Sequence, residues 1–151
     1  MSPIIPSSEM VPVFAATKLK LHPEEFTLVS LPVSDKEKAL ELFKNVEPFS
    51  TISVDHAEVS LIITEPEWNE MSSQFKKYDS DGPYRAITFD IVLDLNLIGF
   101  LSVVSAVLAE EGISIYAIST FLRDHILVKS SHAARAMDAL ESLIQRGITT
   151  Q

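Results

Sequence analysis

The sequence predicts an α+β fold built from two similar packed units, and three observations predict it. Strand-like and helix-like periodicities follow one another in the same order twice along the 151 residues. A polar stretch, residues 76–83 ending in Asp81-Gly82-Pro83, separates the two rounds. In the second round Phe100, Val103, Val104, Val107 and Leu108 form an i, i+3, i+4, i+7, i+8 stripe, the strongest helix signal in the chain. Each round reads strand, helix, strand, strand, helix, which is the order of a ferredoxin-like sandwich.

The elements follow in order. Residues 1–16 carry Pro3, Pro6 and Pro12 and one charge, Glu9, and read as a flexible arm. Residues 17–80 form the first unit. Its strands are expected at 18–21, 26–31, 50–54 and 59–64, with residues 55–58 as a turn. Ser34-Asp35-Lys36-Glu37 has the form of a capping box. Behind it Ala39, Leu40, Phe43 and Val46 recur at helical spacing, and Pro48 ends the helix. Pro66 opens a short helix through Trp68, Met71 and Phe75.

Residues 84–148 form the second unit. Its strands are expected at 84–93, 113–120 and 125–128, and Gly112 sits where the main helix needs a left-handed residue. Ala133, Ala136, Met137, Leu140 and Ile144 mark the last helix, with Ser130 or Ser131 as its cap. A ferredoxin-like unit needs a fourth strand, and only residues 148–151 remain for it. A strand from elsewhere, residues 18–21 being the candidate, completes one of the sheets, or the second sheet stays short.

Composition narrows the function. Twelve Lys and Arg against 21 Asp and Glu give a formal charge of −9, which disfavours nucleic acid and anionic membrane surfaces. No apolar run approaches the roughly 18–20 residues that cross a bilayer, and the N-terminus lacks the pattern of a signal peptide, so the cytosol is the default location. With no Cys there is no thiol nucleophile or thiolate metal site. The four His have no helical metal-pair spacing, and four Gly cannot write a phosphate loop or a dinucleotide fingerprint. Catalytic residues, metal and cofactor are therefore all expected to be absent.

Two places point to a ligand. In Leu93-Asp94-Leu95-Asn96-Leu97-Ile98-Gly99-Phe100, Gly99 lies where the backbone turns into the strongest helix, whose unpaired N–H groups attract a carboxylate. Gly99 reads equally as a residue permitting close helix–sheet packing. Ser119-Thr120-Phe121-Leu122-Arg123-Asp124-His125 is a tight turn, and Asp there is ordinary turn chemistry. The topology brings both to one edge, where Asp124 would take an ammonium and the helix start a carboxylate.

Residues 99–128, with Gly-Ile-Ser-Ile-Tyr-Ala-Ile-Ser-Thr-Phe-x-x-Asp-His-Ile-Leu-Val as the specific run, resemble an ACT domain. More narrowly they resemble the tandem ACT units of the CASTOR arginine sensors, with aspartate kinase regulatory domains as wider relatives. Leu21-His22-Pro23-Glu24-Glu25-Phe26 and Glu58-Val59-Ser60-Leu61-Ile62 resemble that family's N-terminal unit. The resemblance implies a non-catalytic amino-acid sensor, its ligand held between two ACT units. One unit would supply the Gly99 region, Ile98 to Phe100, with Thr120, Phe121 and Asp124. The other would supply Ser114 and Ile115. This chain has one such C-terminal unit, so a homodimer is implied, with a regulated protein or enzyme as a further partner. The alternation of Ile113, Ile115 and Ala117 suits an edge strand covered by a partner and equally an interior strand. The arginine sensors carry an acidic residue just before the loop glycine, where this chain has Leu97-Ile98. Asp94 is the nearest substitute, and the departure leaves arginine specificity open. The rival reading is an ACT-type dimerisation and interaction module with no small-molecule ligand.

Overall fold

The computed structural model describes residues 6–47 and 49–150. Pro3 and Pro48, named above for the arm and the helix stop, lie outside the described residues. Among the described residues seven strands and five α-helices run in the order α1 (Val11–Ala16), β1 (Lys18–Leu21), β2 (Phe26–Pro32), α2 (Lys36–Phe43), β3 (Thr51–Val54), β4 (Glu58–Thr64), α3 (Glu65–Met71), β5 (Asp79–Asp90), α4 (Phe100–Glu110), β6 (Tyr116–Ser119), β7 (Asp124–Lys129) and α5 (Ala133–Thr150).

The chain divides into two compact units, and the division differs from the one the sequence suggested. The first unit is Glu24–Tyr84; the second joins the chain up to Pro23 with the chain from Arg85 onward. Residues 76–83 are a separator only in part, because Asp79–Pro83 already belong to β5. Their backbone pairs antiparallel with β2, Ser30 opposite Asp79 and Phe26 opposite Tyr84. Polar side chains are no obstacle to a strand whose ladder is made by backbone groups.

In the first unit β4 pairs with both β2 and β3, all antiparallel, and the start of β5 adds the fourth strand on the other side of β2. Val29, Leu31, Val59, Leu61 and Ile63 pack with Trp68, Met71 and Phe75 to form its core. The expected Ser34–Glu37 capping box does not form. Val33–Asp35 make a 3₁₀ turn in which the Lys36 N–H bonds the Val33 carbonyl, so Ser34 sits inside the turn instead of ahead of the helix. Ser130–His132 form the same kind of turn before α5, in place of a serine cap. Helix α2 is shorter than its stripe and ends at Phe43.

In the second unit β5 has β7 as a neighbour, β6 lies beyond β7, and β1 pairs antiparallel with β5, Lys18 opposite Asp90. Residues 18–21 therefore supply the missing fourth strand, and residues 148–150 continue α5. Strand β6 starts at Tyr116, later than expected; Gly112, at φ +71°, ends α4 in a Schellman turn. In that turn the Ile113 N–H reaches the Leu108 carbonyl and the Gly112 N–H reaches that of Ala109.

The described part of the expected N-terminal arm, residues 6–16, is a correction. Val11–Ala16 form a helix packed on α5, with Met10 and Phe14 at 2% and 1% exposure. Pro12 sits in the first turn, where a missing N–H is harmless. Gly147 allows the contact: a Cβ there would lie 3.2 Å from the Ala15 nitrogen and 3.3 Å from the Val11 oxygen. Phe14 stacks on Phe100 at 4.8 Å between centroids, and Phe89 meets Phe100 edge-on at 5.4 Å. Burial of such rings dominates the energy of a small core.

Candidate functional site

The corner between β5 and α4 is built by residues 91–99. The Asp94 side chain accepts from the Asn96 N–H at 2.7 Å and its carbonyl from the Leu97 N–H at 3.0 Å, a local turn of the kind Asp favours. The Leu93 N–H bonds the Leu122 carbonyl at 2.9 Å, tying the loop to the β6–β7 hairpin. Gly99 then takes φ +95° as the N-cap of α4, a conformation that costs a side-chain-bearing residue dearly. The Val103 N–H is the first to find a helical partner, the Gly99 carbonyl at 3.2 Å. The N–H groups of Phe100, Leu101 and Ser102 precede it at the positive end of the helix dipole. Phe100 is pinned by Phe14 and Phe89 beneath it.

Opposite stands the hairpin. The Thr120 N–H and hydroxyl both reach the Arg123 carbonyl, at 2.9 and 3.1 Å, closing the turn. The Ser119 hydroxyl donates to Asp124 Oδ1 at 2.5 Å. Arg123 Nε contacts Asp90 Oδ1 at 2.9 Å.

Corner and hairpin enclose an open cavity of about 390 Å³, a size usual for small-molecule sites. Of the residues named from the sequence, Asp94, Gly99, Phe100, Thr120, Phe121 and Asp124 line it. Ile98 does not; it stands 89% exposed beside the mouth. Ser114 and Ile115 do not line it either, lying in the segment between α4 and β6, with Ser114 exposed and Ile115 half-buried. Strand β6 is an edge strand, its ladder running to β7 alone among the described residues.

The sequence reading missed Arg123, the single basic side chain of the lining, and the apolar wall of Leu93, Leu95, Leu97, Leu101 and Leu122. An Arg in a turn carries no signal of its own, and its place is set by Asp90 across the sheet. Leu93, Leu95 and Leu97 alternate at the strand period, so in the sequence they read as more of β5, which ends at Asp90.

Behind Thr120 lie two buried histidines. His125 sits on β7, and its Nδ1 contacts the Thr88 hydroxyl at 2.8 Å. His22 Nε2 contacts the same hydroxyl at 2.8 Å. His125 Nε2 contacts the Thr120 hydroxyl at 3.1 Å. Burial pushes the His125 imidazole below its ordinary pKa; His22 and Arg123 lower it further, and Asp124 opposes them. Among the described residues no group of three or more His, Asp or Glu could hold a metal ion, and no helix is long and apolar enough to cross a membrane.

Residues 79–142 match the protein family described as the ACT domain, from the first residue of β5 into α5. No curated protein sequence matches the chain. Solved structures do. A protein from Agrobacterium tumefaciens is 22% identical over 85% of this chain and 89% of its own, with a TM-score of 0.70. A Vibrio cholerae protein of unknown function, described as a possible transport protein, is 20% identical over 87% and 92%, with a TM-score of 0.69. The ligand-free regulatory subunit of aspartate kinase from Thermus thermophilus is 8% identical over 85% and 98%, with a TM-score of 0.63. At these identities the likeness is one of fold.

Proposed function

We propose that the chain is a non-catalytic regulatory protein that binds a free amino acid in the cavity of its second unit. One observation carries the reading: a helix N-terminus and a hairpin carboxylate face a single cavity of about 390 Å³. The ligand's carboxylate meets the N–H groups at the start of α4, and its ammonium meets Asp124 and the Thr120 oxygen. Its side chain lies against the leucines, which favours an apolar amino acid such as leucine over arginine. Asp94 supports that choice, since its carboxylate already holds the Asn96 N–H.

A second copy of the chain covers the mouth, in the manner of the CASTOR-type sensors, bringing Ser114 and Ile115 to a neighbour's ligand. The apolar side chains around the loop and hairpin support this: Leu95, Ile98 and Phe121 are 71%, 89% and 75% exposed, and grouped exposed apolar side chains mark interaction surfaces. The same side chains favour the second reading, a dimerisation module with no ligand.

Thermal melts with each of the twenty amino acids, alongside sedimentation, separate the two. Ligand at 100 times its dissociation constant adds about 2.7 kcal/mol. A dimer that no amino acid stabilises supports the second reading, and a strict monomer removes the Ser114–Ile115 contribution.

A further inference from the structure

The buried contacts behind Thr120 have a direction that follows from counting protons. The Thr120 hydroxyl has one hydrogen and two lone pairs. Its 3.1 Å contact with the Arg123 carbonyl uses the hydrogen, because a carbonyl only accepts. Its 3.1 Å contact with His125 Nε2 must then be received, so Nε2 carries the proton. A neutral His125 protonated on Nε2 accepts at Nδ1, so the Thr88 hydroxyl donates there at 2.8 Å. With its hydrogen used, Thr88 accepts from His22 Nε2–H, also at 2.8 Å. With His125 neutral, the form its burial favours, one polarity satisfies all four contacts: His22 to Thr88 to His125, and His125 to Thr120 to Arg123. Thr88 and both histidines are less than 10% exposed, so water does not compete freely for these bonds.

We infer that this His22–Thr88–His125 chain fixes the Thr120 hydroxyl as an acceptor toward the cavity, and thereby decides which end of a bound zwitterion faces the hairpin. Thr120 has one lone pair left and no proton to give. It can receive an ammonium hydrogen, as Asp124 can, and it cannot donate to a carboxylate. The carboxylate is left to the N–H groups at Phe100–Ser102. His125 and His22 touch no ligand; they are positioning residues. The groups around His125 are His22, Asp124 and Arg123, with the Arg85 guanidinium held on the His22 carbonyl at 2.7 and 2.9 Å. The orientation rests on the amino-acid reading above; the polarity of the chain does not.

The test has two arms on the full-length protein. Nitrogen-15 NMR of the ligand-free chain at pH 7 reads the tautomers directly, and His125 is expected neutral with its proton on Nε2. A proton on Nδ1, or an imidazolium, overturns the inference whatever the protein binds. The second arm uses leucine, 4-methylpentanoate, which lacks the ammonium, and 3-methylbutylamine, which lacks the carboxylate. Thr120→Val should weaken leucine and the amine about tenfold and leave the acid unchanged. His125→Gln, which keeps a donor near the Nε2 position, should restore part of the leucine affinity that His125→Leu loses. An acid weakened by Thr120→Val as much as the amine overturns the orientation. An Nε2–H tautomer in a protein that binds none of the three probes overturns the amino-acid reading and upholds the relay.

Discussion

The two units share an order of elements and differ at the same two places. In the first unit the corner between β2 and α2 is the 3₁₀ turn Val33–Asp35, with no glycine and no loop. In the second unit the equivalent corner is the loop 91–99, ending at Gly99 in a left-handed conformation. The hairpins differ in parallel. Asp55, between β3 and β4, accepts from the Ala57 and Glu58 N–H groups at 2.7 and 2.8 Å, so its carboxylate serves its own turn. Asp124, at the β6–β7 hairpin, accepts one hydrogen bond from the Ser119 hydroxyl at Oδ1 and lines the cavity. Topology alone therefore does not make a site. A longer corner and a carboxylate that faces the cavity are what the proposed site has and the first unit lacks at the equivalent places.

The second corner also rests on something the first lacks, the helix α1. Phe14→Ala should break this support and produce the largest effect of the set. Phe14 is 1% exposed and stacked on Phe100, and deleting such a ring costs about 3–5 kcal/mol. At roughly 2–4 °C per kcal/mol for a chain of this size, the midpoint should fall by about 10 °C. Hydrogen exchange should show the loss in α4 and α5. An unchanged midpoint would mean that α1 does not support the corner.

Asp124→Asn sharpens the comparison at the hairpin. The substitution keeps size and turn preference and removes the charge assigned to the ligand's ammonium, worth about 1.5–3 kcal/mol. Affinity for the amino acid found by the melts should drop about tenfold to a hundredfold, with the unliganded midpoint steady. Calorimetry on both proteins decides, and unchanged affinity would remove Asp124 from the site.

What the sequence could and could not reveal follows from the range of each signal. The α4 stripe, Gly99 and Gly112 are local signals, and each falls where its spacing placed it. The fourth strand at residues 18–21 was reachable by counting what a ferredoxin-like unit requires. Helix α1 was not legible as ordered, because six residues give no period and its partner is the far end of α5 at Gly147. The start of β5 was hidden because Asp79, Ser80 and Asp81 look like a turn and are held by backbone pairing with β2. At the site, the pairing of Gly99 with Asp124 was legible from topology. Arg123 and the contacts of His22 with His125 through Thr88 were not, since they depend on which residues the sheet sets side by side.

Gly99→Ala tests the corner itself. At φ +95° a Cβ would meet nothing nearer than the Met10 Cε at 3.7 Å, so space is not the obstacle. The cost is conformational, about 1–2 kcal/mol, and the midpoint should fall by a few degrees. Ligand affinity should fall too, because the chain escapes the strain by shifting the first turn of α4. Ser34→Ala, in the 3₁₀ corner of the first unit, should change neither quantity.

Asp55→Asn is the smallest effect and the cleanest control for Asp124. Two backbone N–H bonds, to Ala57 and then Glu58, hold the Asp55 carboxyl below its ordinary pKa, with burial working weakly against them and His56 adding slightly. A pKa lower in the folded state than in the unfolded one means that the charged form contributes stability above the unfolded value, near pH 4. That contribution is lost as pH falls through the folded value. Asn keeps an oxygen for the same two N–H groups and loses the charge. The wild type should therefore melt slightly above Asp55→Asn at pH 7, and the gap should close as the pH falls through the folded value. At pH 7 Asp55→Asn should bind the ligand as tightly as the wild type, in contrast to Asp124→Asn. A gap that persists in acid would show that shape and not charge makes this turn. A change in affinity would show that the two hairpins are not the independent devices their hydrogen bonds describe.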